Sequence, residues 1–184
     1  MAAPTLPFIT VEEYLNSSYH PDREYVEGVL VERTVPTILH SILQLLLGTY
    51  FRQFEPGYKF KTLIEARTQI VQRARYRIPD VSICPLPLSR GKIVDTVPLA
   101  VFEILSPDDT ITATLQRFRD YERLGVHNIV QMDPEQCIAH RFQSGSLLET
   151  KFTTLHLPNT GLELPFDSEA LFSQLREEHD AATG

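Results

Sequence analysis

The chain has 184 residues, 42% of them hydrophobic and 22% charged, with a formal net charge of −7. That length suits one domain with a sizeable core, and the acidic balance excludes a protein that coats nucleic acid by bulk electrostatics. No apolar run is long enough to cross a bilayer, and the start, MAAPTLPFIT, lacks a basic stretch followed by an apolar one. No membrane partner is therefore expected, and a cytoplasmic location is. Cys84 and Cys137 are too few for a disulfide framework and have no metal-type spacing, so they read as small buried hydrophobes.

Thr10-Val11-Glu12-Glu13 has the form of a capping box and predicts a short helix that stops before His20-Pro21-Asp22. Glu24 to Glu32 reads as two short strands around a Glu27-Gly28 turn, with Glu24 at a solvated strand end. Pro36 opens a long amphipathic helix, in which Ile38, Leu39, Ile42, Leu45, Leu46, Tyr50 and Phe54 recur at helical spacing until Pro56-Gly57. His40 lies off its densest apolar rows. From Lys59 to Ile78 the residues alternate, which predicts one long strand or a hairpin bent near Gln72-Arg73. Its polar parity carries Arg67, Arg73, Arg75 and Arg77. A wet basic face of this kind holds phosphates and fixes register on DNA, although the same pattern also keeps a strand soluble.

Two stretches stand at the centre, Pro79 to Cys84 and Leu99 to Leu105. Both are short, apolar and fenced by Pro and Gly, as buried strands are. Asp80 sits at the mouth of the first and Glu103 inside the second. One such carboxylate is ordinarily a loop end or half of a structural ion pair. Two on consecutive strands point to oxygen ligands for a divalent cation, because an ionised carboxylate among apolar side chains needs a cation beside it. Between them lies a polar, Pro-rich loop from Pro85 to Lys92. Ser106-Pro107-Asp108-Asp109 offers caps for a helix that Gly125 ends. Arg117 or Arg119 on that helix can project toward the acidic pair, or lie on the surface with Asp120 or Glu122. Val126 to Asp133 reads as a buried strand, and Gln143 to Ser146 as a hairpin turn between two more. Leu162 to Leu164 reads as an edge strand, Asp167 to Leu175 as a closing helix and Glu177 to Gly184 as a frayed tail. The chain is read as one α/β domain.

In this order the pieces resemble the Uma-two family, assigned as restriction endonucleases within the PD-(D/E)xK nuclease superfamily. The matching text is Thr10 to Leu15, Asp22 to Gly28, Pro36 with His40, Pro79 to Ser82, Phe102 to Pro107, Tyr121 to Val126 and Asp133-Pro134. The likeness runs from about residue 8 to residue 175. It implies a restriction-endonuclease-like domain with a central mixed β-sheet flanked by helices and the site at its open edge. It further implies a metal-dependent DNA endonuclease hydrolysing phosphodiester bonds. Asp80 and Glu103 would be ligands of Mg²⁺ or Mn²⁺, and Glu24 and His40 would share their pocket. A homodimer is expected by analogy.

Two positions depart from the superfamily pattern. The lysine expected two residues past the acidic residue is Leu105. In the Uma-two version it has moved to the following helix, four residues before the tyrosine, where this chain has Arg117; the Asp expected four residues earlier still is Ala113. Arginine stays protonated and cannot act as a base, though it can stabilise charge on a phosphate. The competing expectation is therefore a catalytically impaired nuclease fold that serves as a nucleic-acid-binding or dimerisation module.

Overall fold

The computed structural model describes residues 8–158 and 160–184. Residues 1–7, on which most of the leader expectation rests, lie outside the described residues. α1 (Val11–Asn16) starts with the expected capping box: the Thr10 hydroxyl accepts from the Glu13 N–H, and the Glu13 carboxylate accepts from the Thr10 N–H. β1 (Glu24–Val26) and β2 (Val29–Val31) form a hairpin whose turn residues Glu27 and Gly28 have φ of 50° and 90°. Gly28 takes its positive φ without strain, which a side chain there would not. α2 (Ile38–Arg52) is capped by Thr37 rather than opened by Pro36, and α3 (Glu55–Tyr58) follows it.

The stretch read as one long strand or a bent hairpin is three strands. β3 (Phe60–Ile64), β4 (Thr68–Val71) and β5 (Arg75–Arg77) are separated by a left-handed corner at Glu65 (φ 48°) and a turn at Arg73 (φ 58°). The bend near Gln72-Arg73 is where the alternation placed it. The break at Glu65, with no Gly or Pro there, leaves no sequence mark.

β6 (Val81–Pro85) and β7 (Ala100–Ile104) are the two central strands, and α4 (Ile111–Leu124) follows. Thr110 caps α4, while Asp109 instead accepts from the Ser106 N–H, so the predicted cap is one turn early. β8 (Asn128–Asp133), β9 (Ile138–Gln143), β10 (Ser146–Glu149), β11 (Thr154–Leu157) and β12 (Leu162–Pro165) complete the strands. α5 (Ser168–Thr183) runs on through the segment expected to fray. Its last turns are rich in Glu and Ala, good helix formers, and Gln174 donates to Glu178 one turn on.

Six strands form a mixed sheet in the order β10-β9-β8-β7-β6-β3, and the β7–β8 pair is parallel because α4 crosses over between them. A second, antiparallel sheet has the order β2-β1-β5-β4, and β11 pairs with β12. On one face of the large sheet Val81, Ile83, Phe102 and Ile104 pack with Leu43, Leu47 and Phe51 of α2 and Leu171, Phe172 and Leu175 of α5. On the other face Val101 and Ile129 meet Phe118 and Tyr121 of α4. Among the described residues no helix is long and apolar enough to cross a membrane.

The basic parity is not a wet face. Arg67, Arg75 and Arg77 are only 9%, 7% and 5% exposed, and each is bound to carboxylates. Arg67 holds Asp22 through two nitrogens, at 2.7 and 2.5 Å, and lies 4.5 Å from the centre of the Tyr14 ring. Arg75 and Arg77 both hold Asp120 of α4, and each reaches a second acid, Glu27 and Glu24 respectively. Guanidiniums so committed have no free face for DNA; of the four, Arg73 is exposed. Strand period reports which residues share a face, not whether a helix covers it.

Asp120 is the shared counter-charge of two buried arginines, so D120N should lower unfolding stability by about 3 kcal/mol in urea titration. Arg123, 3.9 Å from Asp120 but 63% exposed, should lose no more than about 0.5 kcal/mol as R123A. Equal effects would show that the buried network does not carry the packing of α4.

Candidate active site

Register brings the acidic pair together. The antiparallel ladder of β6 and β7 ends at Val81–Phe102, and Asp80, just before β6, lies beside Glu103 and Ile104 at that end, its carboxylate accepting from the Ile104 N–H. Period two puts Glu103 on the same face as Val101, which is the α4 face. Arg117 and Tyr121, one helical turn apart on α4, therefore point at it.

Each oxygen of the pair has a partner. Glu103 Oε2 accepts from Arg117 Nη1 at 2.9 Å, and Oε1 accepts from the Tyr121 hydroxyl at 2.5 Å. Asp80 Oδ2 accepts from the Ile104 N–H at 2.7 Å, with His40 Nε2 at 3.4 Å, and Oδ1 accepts from Arg33 Nη2. Arg33 also reaches Glu65, with Nη1 3.1 Å from Oε1. Burial raises the Asp80 carboxyl, but the His40 hydrogen bond and the Arg33 charge outweigh it and hold the group below the usual carboxylate range. Glu103 goes the other way. Burial drives it up; Arg117 opposes, Asp80 and Glu24 add to the rise, and the carboxyl is pushed up to about 7. Glu103 above all raises the Arg117 guanidinium further, so it stays charged.

Asp80, Glu103, His40, Arg33, Glu65 and Arg117 line one cavity of 140 Å³, with Asp109 also in its wall. The expected pair and His40 thus share a pocket. Glu24 does not reach that wall: it is 1% exposed, fixed by Arg77 at 2.5 Å and the Ile78 N–H at 3.2 Å, and lies 3.6 Å behind the Arg117 Nε. The solvated strand end expected for Glu24 is a buried anchor instead. Sequence reasoning also missed Arg33 and Glu65, which lie outside any motif, and the part played by the Tyr121 hydroxyl.

The donor set suits a hard divalent cation: two carboxylates and an imidazole whose Nδ1 makes no hydrogen bond. Yet among the described residues no three His, Cys, Asp or Glu side chains are arranged to hold a metal ion. Asp80 Oδ1, held by Arg33 alone, is the oxygen an incoming cation would contest.

The raised Glu103 gives a pH signature in chelator-treated protein. Folding retains a proton that the unfolded chain releases above its ordinary value of 4.5, so this stabilisation is whole below that pH and is lost as pH rises through about 7. Across that window wild type should lose on the order of 3 kcal/mol more than E103Q in urea unfolding. Parallel curves would show that Glu103 is ionised throughout.

No curated protein matches the chain. A crystal structure described as "a putative nuclease belonging to DUF820 from Anabaena variabilis" superposes with a TM-score of 0.74 at 23% identity, covering 91% of this chain and 99% of that one. A chain of the DrdV–DNA complex matches with a TM-score of 0.36 at 16% identity, covering 71% of this chain and 10% of the other. The first shares the fold that the strand order describes, a central mixed sheet flanked by helices. The family model described as "Putative restriction endonuclease" matches residues 11–167, with the acidic pair and its arginine inside that span, and the chain belongs to this family, Uma2.

Proposed function

We propose that this member of a nuclease family is a divalent-metal-dependent endonuclease that hydrolyses phosphodiester bonds of DNA. The observation that carries the reading is the placement of Asp80 beside Glu103 on one buried wall of a cavity large enough for an ion and its waters. Asp80 and Glu103 would hold Mg²⁺ or Mn²⁺, with His40 beside them. Such an ion supplies Lewis-acid charge and lowers the pKa of water.

The chain's own groups do the rest. Arg117, always charged, offers N–H groups to a phosphate oxygen as negative charge develops there. Tyr121 fixes the Glu103 carboxyl by its short hydrogen bond, and Glu24 holds the arginine from behind. His40 keeps Asp80 oriented from the opposite side. None of these groups replaces the family lysine as a proton acceptor. Burial pushes the Glu103 carboxyl up to about 7 in the metal-free site; as a ligand it would be held ionised by the cation. Cutting both DNA strands would call for the homodimer expected by analogy.

A second reading has its own support. Every oxygen of the pair is already occupied by a donor of this chain, and arginine stands at the lysine position. On that reading the protein keeps the fold as a nucleic-acid-binding or dimerisation module and does not cut.

Nicking of supercoiled plasmid under Mn²⁺ separates the two. Wild type should nick, and D80N should nick at least about a hundredfold more slowly. Equal rates for wild type and D80N would end the site assignment. A silent wild type with an active R117K would establish the second reading.

A further inference from the structure

Arg33 enters the cavity from the segment after β2, outside both central strands. Its side chain is 15% exposed and joins Asp80, 4% exposed, to Glu65, 44% exposed at the left-handed corner between β3 and β4. Gln44 braces the same junction, its Nε2 lying 3.1 Å from the Asp80 carbonyl and 3.4 Å from Glu65 Oε1. The guanidinium therefore has one anchor inside and another near solvent. Asp80 Oδ2 is already committed to the Ile104 N–H and His40, which leaves Oδ1 as the oxygen open to exchange.

Charge in the cavity wall points the same way. Glu65, Asp80, Glu103 and Asp109 face Arg33 and Arg117. With its carboxyls ionised, the wall has four acids against two arginines and stays negative. Arg33 holds the contested oxygen without neutralising the site.

We propose that Arg33 is a latch: it occupies Asp80 Oδ1 in the resting protein and is displaced outward, still tethered by Glu65, when a divalent cation binds. The proposal rests on the reading of Asp80 as a metal ligand. Displacement frees N–H groups of Arg33 at the cavity mouth, where a phosphate of the substrate can take them. Cation binding and phosphate recognition are then linked through one side chain. Toward the cation Arg33 acts through Asp80; toward the substrate it acts directly, on a phosphate.

Calorimetric titration with Mn²⁺ tests it without any activity readout. R33Q should bind Mn²⁺ at least about tenfold tighter than wild type, because a like charge beside the ion is removed. D80N should abolish binding in both backgrounds. Equal, D80N-sensitive affinity in wild type and R33Q overturns the latch and leaves the metal site standing. Absence of binding in every variant overturns the metal reading and the latch with it. Should R33Q fail to fold, Mg²⁺ titration of ¹⁵N-arginine-labelled wild type reads the same event. The Arg33 Nε–H signal, assigned through R33K, should shift with cation binding while that of Arg77 stays. An unmoved Arg33 signal at saturating Mg²⁺ overturns the proposal.

Discussion

Two carboxylates set beside each other at the end of a buried ladder constrain everything around them. Each ionised group taken from water into such surroundings costs several kcal/mol unless partners replace the solvent, and two like charges side by side repel as well. The fold answers with one arginine and further donors for each: Arg33, His40 and a backbone N–H for Asp80, Arg117 and Tyr121 for Glu103. The two groups titrate in opposite directions: His40 and Arg33 outweigh burial and hold Asp80 low, while burial above all, with the Asp80 charge adding to it, drives Glu103 up. A structural protein would gain more from apolar side chains at both positions. Keeping the pair, with a cavity beside it, makes sense where charge must be available to something that enters.

α4 connects this site to the rest of the molecule. Its helical spacing sends Arg117 and Tyr121 to Glu103, while Asp120 takes the two arginines of β5. Arg77 then passes the constraint on to Glu24 of β1, which lies behind Arg117. The small sheet is thereby tied to the large one through alternating buried charges. Such a network fixes geometry more than it adds stability, because its members are costly alone and acceptable only together. The cation at the lysine position is consequently held from two sides.

Much of the architecture could be read from local pattern. The capping box at Thr10, the Glu27-Gly28 turn, the central strands, Gly125 and the hairpin at Ser144-Gly145 all depend on near neighbours, and the structure shows each. Periodicity placed the helix α2 but not its face: Leu43, Leu46, Leu47, Phe51 and His40 are buried, while Ile38 and Leu45 of the expected row are exposed. The pairing of Asp80 with Glu103 was legible because consecutive apolar strands tend to be neighbours in a sheet. What escaped the sequence was longer in range. The corner at Glu65 splits one alternating stretch between two sheets, and nothing within the stretch encodes it. The burial of Arg67, Arg75 and Arg77 depends on Asp22, Glu24, Glu27 and Asp120, acids that precede or follow them by 43 residues or more along the chain. Arg33 lies 47 positions from Asp80 and belongs to no motif.

On the proposed reading Asp80 and Glu103 together seat one cation. Anomalous diffraction from crystals soaked in Mn²⁺ addresses this directly. The expected map has one strong peak within ligand distance, about 2.0–2.6 Å, of oxygens from both residues, as hard divalent sites show. A map with no peak there, and with Arg33 and Arg117 still on their carboxylates at saturating Mn²⁺, would contradict it.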